Sequence, residues 1–308
     1  MTTKWSWAAL CARSRIAAVT DAVLRGCSQV MFQNNPLTGL LFFIAIFVGA
    51  WEEGLPQVAF GCLLGTAAAT LSAAWLVDDR TALRTGLYGY NGCLVGAALP
   101  TFLLPSVWLW IGVIFSSAIS VIVTVGLNRL LRTWKIAALT APFVLTTWTV
   151  LLASYPFSHL RHVRLPPAAI PADGAVFNPH LDLAEVLSGA LHGVSQVFLC
   201  SSVSGGVLLL LGLAVITALA IGADPQAVFA GLYAFSAVLT AVALGSVFNP
   251  PGRRVLIYTL LGVIFTVLVQ GAFNTLLAPL GMPSLTMPFV IASWLFLSAN
   301  PAVIAARR

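Results

Sequence analysis

Nine apolar runs account for nearly all of this chain, at 37–51, 56–77, 86–104, 106–126, 138–154, 187–222, 227–248, 255–280 and 285–306. A helix that crosses a bilayer needs roughly 20 predominantly apolar residues. The runs are of that length or close to it. They are rich in Leu, Ala, Val and Gly and lack the alternation of a membrane barrel. The chain is therefore expected to fold in lipid, as a single all-α polytopic membrane domain. Composition agrees, since only 8% of the 308 residues are charged, against about 25% in soluble domains.

The net charge of +6 does not imply a nucleic-acid partner, because the basic residues stand singly and in pairs at the ends of the apolar runs. That is the distribution of topology signals. Arg13, Arg15 and Arg25, then Arg80 and Arg84, then Arg129, Arg132 and Lys135 predict a cytoplasmic N-terminus in a multi-pass inner-membrane protein. Alternation then puts Glu52, Glu53 and the connector that begins near Ser154 outside. The five cysteines, Cys11, Cys27, Cys62, Cys93 and Cys200, form no CxxC pair and no spacing with histidine suited to zinc. They are read as small core residues, and neither a metal nor a cofactor is expected. Arg13 and Arg15 interrupt the apolar start WAALCA, which argues against a cleavable leader. All nine acidic residues fall at segment ends, loops or interfaces. No buried acid–base pair is left for an enzyme, and no intramembrane carboxylate for coupling to an ion gradient.

The second half of the sequence repeats the first. Gly26, Ser28, Gln29, Val30 and Gly39 match Gly193, Ser195, Gln196, Val197 and Gly206 at one displacement of 167 (Gly26 to Gly193). GLYGYNGCLVGAAL matches GLYAFSAVLTAVAL at 145 (Gly86 to Gly231), and TAPFVLTTW matches TMPFVIASW at 146 (Thr140 to Thr286). This order divides the domain into a first transmembrane repeat, 1–155, a connector, 156–184, and a second repeat, 185–308. With five spans in the first unit, the second copy enters from the opposite face, so the repeats are expected to be inverted with a solute path near the bilayer midplane. The broken stretch QVMFQNNPLTG, with Gln33, Asn34, Asn35 and Pro36, is tolerable at depth only against protein or a wet cavity.

QVMFQNNPLTG, the GLYGYNG block and the paired T-x-P-F blocks resemble those of the urea transporter family, over almost the whole chain. The resemblance implies channel-like passage of urea down its gradient and a homotrimer in the lipid bilayer in which each protomer has its own pore. It also implies two five-helix repeats with re-entrant half-helices. By the family pattern, Gln29, Val30, Phe32, Tyr90 and Leu94 line one mouth, Gln196, Val197, Phe235 and Leu239 the other, and Thr140 and Thr286 the narrow middle. The chemistry suits a small planar solute with one carbonyl and two amino groups: glutamine and threonine oxygens accept, aromatic faces wall the plane.

Two departures keep alternatives open. Asn34-Asn35-Pro36 becomes Ser201-Ser202-Val203, Asn91 becomes Ser236 and Phe32 faces Leu199. The displacement also falls from 167 to 145, so the second repeat is shorter by about one span. A pore for a short amide or ammonia, or a non-conducting paralogue or interaction subunit, therefore stands beside urea passage.

Overall fold

The computed structural model describes residues 7–163, 165–169, 214–215, 217–219, 221, 223, 228, 232–250 and 252–304, and every regular element among them is helical. Helix α1 is Trp7–Arg13, α2 Arg15–Gln29, α3 Pro36–Glu52, α4 Pro56–Leu76, α5 Arg80–Arg84 and α6 Gly89–Phe102. They are followed by α7 Val107–Leu131, α8 Ala141–Ala153, α9 Ala234–Val242, α10 Arg253–Leu277 and α11 Met287–Ile304.

Among the described residues, α4, α7 and α10 with their terminal turns are long and apolar enough to cross a membrane. Helix α7 shows the polarity a lipid environment demands. Ser116, Ser117, Ser120 and Thr124 are buried, whereas Ile111, Ile114, Phe115 and Ile122 are exposed. Lipid gives apolar faces no reason to leave it, so helices associate through close packing of small residues and through polar contacts. The protein is an all-α polytopic membrane protein.

The apolar pattern did not reveal α1 and α2, because the face that α2 buries is built from Ala17, Ala22, Val23, Gly26, Cys27 and Ser28 rather than from large side chains. Its start is fixed by Ser14, whose hydroxyl accepts from the Ala17 amide. A side-chain cap of this kind satisfies an amide that the first helical turn leaves without a partner.

The chain divides into two compact units. The first comprises 1–130 and 142–164. In it α4 and α6 cross with their backbones nearly touching: a Cβ built on Gly61 would lie 2.2 Å from the Gly96 carbonyl oxygen, and one on Gly65 2.3 Å from that of Gly92. Tyr88 packs with Ala69, Ala73 and Val121 at one end of this contact. The start of the connector lies along the α6–α7 turn, where Leu104 N donates to Arg161 O (2.8 Å) and Val163 N to Phe102 O (2.9 Å).

The second unit comprises 131–141 and 165–308. Here α9 and α10 are joined by the Thr266 and Thr240 hydroxyls at 2.9 Å, and Tyr258 of α10 donates to the Phe296 carbonyl of α11.

One succession of shapes occurs twice along the chain. Helices α7 and α10 each have 25 residues and each runs into a three-residue 3-10 turn. A left-handed residue follows, Lys135 at φ 56° and Gly281 at φ 60°, and then a left-handed leucine, Leu139 at φ 52° and Leu285 at φ 51°. Thr140 and Thr286 come next, one residue before α8 and α11. The displacement throughout is the 146 seen in the sequence. Residues 193–206, which carry the second copy of the opening motif, lie outside the described residues, as does most of the stretch expected to lack a span.

Candidate functional site

The polar stretch after α2 makes a turn whose groups are largely used in building it. Helix α2 ends as the Phe32 amide donates to Gln29 O (2.9 Å) and the Gln33 amide to Ser28 O (3.1 Å). This is the paired pattern that normally places glycine at the left-handed position, yet Phe32 occupies it at φ 59°. Asn35 then caps α3, its Oδ1 accepting from Leu37 N at 2.9 Å, and Pro36 takes the first helical position, where no amide is needed. Arg25 holds the turn from below, with Nη1 on Asn34 O and Oδ1 and Nε on Asp21 at 2.7 Å. Asn34 and Asn35 thus have a structural account.

Gln29 is different. Its Nε2 donates to the Thr85 carbonyl at 2.9 Å. Because a carbonyl can only accept, the amide is oriented with its nitrogen toward Thr85 and its Oε1 turned away, and Oε1 accepts no hydrogen bond among the described residues. Gln29 is both a tether to the segment before α6 and an oriented acceptor. Val30 and Phe32 beside it are half-buried. Tyr90 and Leu94 stand one turn apart on α6 and are also half-buried. The approach of α6 to α2 depends on Gly86, at φ 78°, where a Cβ would lie 2.4 Å from the Gly26 amide nitrogen.

In the second unit the two threonines meet. Thr140 Oγ1 and Thr286 Oγ1 are 2.7 Å apart, with the residues 4% and 1% exposed. One hydroxyl donates to the other, which leaves one O–H and the remaining lone pairs uncommitted by this contact. Each threonine follows a leucine in the left-handed region, a conformation costing about 1–2 kcal/mol for a residue with a Cβ. Such strain is characteristic of functional positions. Trp294 Nε1 anchors α11 beside this pair by donating to Ala137 O at 3.0 Å. Phe235 is half-buried and Leu239, one turn later on α9, is 1% exposed. Gln196 and Val197 lie outside the described residues.

Residues that sequence reasoning passed over complete these sites. Asn91 accepts from the Phe143 amide at 3.2 Å and donates to Thr124 at 3.4 Å, which ties α6 and α7 to the first turn of α8. In the second unit the matching positions are Ser236 and Gln270, so the amide has changed helices. Gln270 donates to Asn274 Oδ1 (3.0 Å) and to the Ser284 hydroxyl, while Gln270 Oε1 and Ser236 Oγ are buried with no hydrogen-bond partner among the described residues. The 146 displacement pairs Thr124 with Gln270, and following it beyond the T-x-P-F blocks would have found this exchange.

Fold and site define a class: a polytopic α-helical membrane protein that keeps hydroxyls and amides buried at helix starts and turns. A family model described as "Urea transporter" matches residues 20–301. The chain belongs to the urea transporter family. It is 30% identical to urea transporter 1 of Ovis aries over 310 residues, 92% of this chain and 78% of that protein. The same identity and coverage relate it to urea transporter 1 of Capra hircus, and it is 29% identical to that of Mus musculus over 311 residues.

Proposed function

We propose that this protein lets urea pass down its concentration gradient across the cell membrane through a channel-like pore. Family membership and the names of its relatives support urea as the solute. The observation that carries the reading is the Thr140–Thr286 pair, two buried hydroxyls in direct contact at 2.7 Å. Urea needs donors and acceptors in place of the water it sheds, because an unmet polar group in a dry site costs about 1–3 kcal/mol. The pair supplies both kinds of group without a charge that would hold the solute, and weak contacts suit rapid passage.

Gln29, with its oriented Oε1, is assigned as an acceptor near one mouth, with Val30, Phe32, Tyr90 and Leu94 as the apolar and aromatic walls. Gln196, Val197, Phe235 and Leu239 take the matching roles near the other. The recurrence of helix lengths and left-handed turns supports a duplicated unit, and inversion of the second copy follows the expected count of spans. We assign the protein to the inner membrane with a cytoplasmic N-terminus, as a homotrimer of independent pores, acting without enzymatic chemistry.

Stopped-flow light scattering on proteoliposomes, with urea, acetamide and ammonia offered in turn, tests the assignment. Urea is expected to cross fastest relative to protein-free vesicles. A preference for acetamide or ammonia would assign a related solute instead, and no acceleration of any of the three would leave a non-conducting subunit.

A further inference from the structure

Two pentapeptides in the first unit share one pattern, Gly61-Cys62-Leu63-Leu64-Gly65 in α4 and Gly92-Cys93-Leu94-Val95-Gly96 in α6. Their glycines let the two backbones touch, as a Cβ on Gly96 would lie 2.0 Å from the Gly61 carbonyl oxygen. The same contact drives the cysteine of each pentapeptide toward the other, and Cys62 Sγ and Cys93 Sγ are 3.2 Å apart. A third thiol arrives on α2, which also approaches closely, a Cβ on Gly26 meeting Gly89 Cα at 3.1 Å. The three sulfurs of Cys27, Cys62 and Cys93 all lie within 4.8 Å of one another, and the residues are 1%, 0% and 2% exposed. All three are free thiols.

We infer that Cys27, Cys62 and Cys93 form a three-coordinate site for a soft, thiophilic metal ion, with Cu(I) the natural occupant. Metal–thiolate bonds of about 2.3 Å place the corners of a planar three-sulfur site roughly 4.0 Å apart. The cluster's 3.2 Å approach and its 4.8 Å limit bracket that edge. Sulfur-only donors select soft ions over calcium, magnesium and manganese. Zinc is disfavoured because structural zinc sites take four ligands, and the nearby Thr66 hydroxyl is bonded to the Cys62 carbonyl at 2.6 Å. The thiolate rather than the thiol is the metal ligand, so Cu(I) entry releases the thiol protons to solvent as the three Cu–S bonds form. Three helices converge here, and an ion would fasten α2 to the α4–α6 pair. Cys27 stands two residues before Gln29, and Cys93 one before Leu94.

The test uses the purified full-length protein under anaerobic conditions, titrated with Cu(I) against a chromophoric Cu(I) chelator. One equivalent per protomer is expected, with an X-ray absorption spectrum showing three sulfur neighbours at about 2.3 Å and an upward shift in unfolding temperature, since an ion that binds only the folded state stabilises it. Cys27→Ser, Cys62→Ser and Cys93→Ser should each weaken binding at least about tenfold, while Cys11→Ser and Cys200→Ser leave it unchanged. The spectrum of the unaltered protein needs no variant to fold. Failure to compete with the chelator, oxygen or nitrogen neighbours in that spectrum, or loss of binding in Cys11→Ser or Cys200→Ser would overturn the assignment. All of these readouts are independent of urea flux.

Discussion

Replacing Thr140 and Thr286 by valine, singly and together, separates what the hydroxyl pair does for the fold from what it does for the solute. Valine keeps the shape and removes the oxygen. In either single variant the partner hydroxyl loses the 2.7 Å bond while the site stays closed to water, with Thr140 4% and Thr286 1% exposed. A buried group stripped of its partner costs about 1–3 kcal/mol, whereas replacing both partners with apolar groups of the same shape is close to neutral. Each single variant should therefore be less stable by that amount. The double variant should be more stable than the sum of the singles predicts, and close to the original protein. Flux should behave in the opposite way. A solute that loses hydrogen bonds at the narrowest point meets a barrier raised by about 1–3 kcal/mol, a slowing of roughly 5- to 150-fold, and the double variant should be the slowest of the three. Thermal unfolding in detergent gives the stability cycle, and stopped-flow urea efflux from vesicles of known protein content gives the rates. A double variant with unaltered flux, or with stability losses that simply add, would refute the reasoning.

Gly96→Ala should sharply lower the yield of monodisperse protein on size-exclusion chromatography, because its Cβ would fall 2.0 Å from a backbone oxygen, while Gly126→Ala, with nothing within 4 Å, should behave normally. Gln29→Glu places a carboxylate against the Thr85 carbonyl in place of a donor. It should lower the unfolding temperature and also reduce urea flux per folded protomer, whereas a purely structural Gln29 would change the first alone. Asn35→Ala removes the cap of α3 and should cost about 1 kcal/mol in thermal unfolding, with flux per folded protomer retained.

The sequence patterns that proved legible were those written in large apolar side chains or in repetition. The runs 56–77, 106–126 and 255–280 correspond to α4, α7 and α10 within a few residues, because a span advertises itself by length and hydropathy. The T-x-P-F displacement matches Thr140 with Thr286, whose hydroxyls lie 2.7 Å apart. Helix α2 stayed hidden because its buried face is made of Ala, Gly, Cys and Ser, which carry little hydropathy but permit close approach. The role of Asn35 was obscured for a related reason. In a lipid-embedded chain every polar residue draws attention as a possible solute contact, yet a helix start consumes acceptors of its own. Asn91 and Gln270 were harder to read because the amide changes helix between the two copies, so that Asn91 matches a serine and Gln270 a threonine. The left-handed turns at Phe32, Leu139 and Leu285 left no trace in composition, since glycine is absent from all three.

Uptake of radiolabelled urea into proteoliposomes, followed to its end point with and without an imposed proton or sodium gradient, tests the central claim most directly. The account predicts entry well above that of protein-free vesicles, stopping when the inside and outside concentrations are equal and unaffected by either ion gradient. Accumulation beyond equality under a gradient, or entry no faster than through lipid alone, would contradict it.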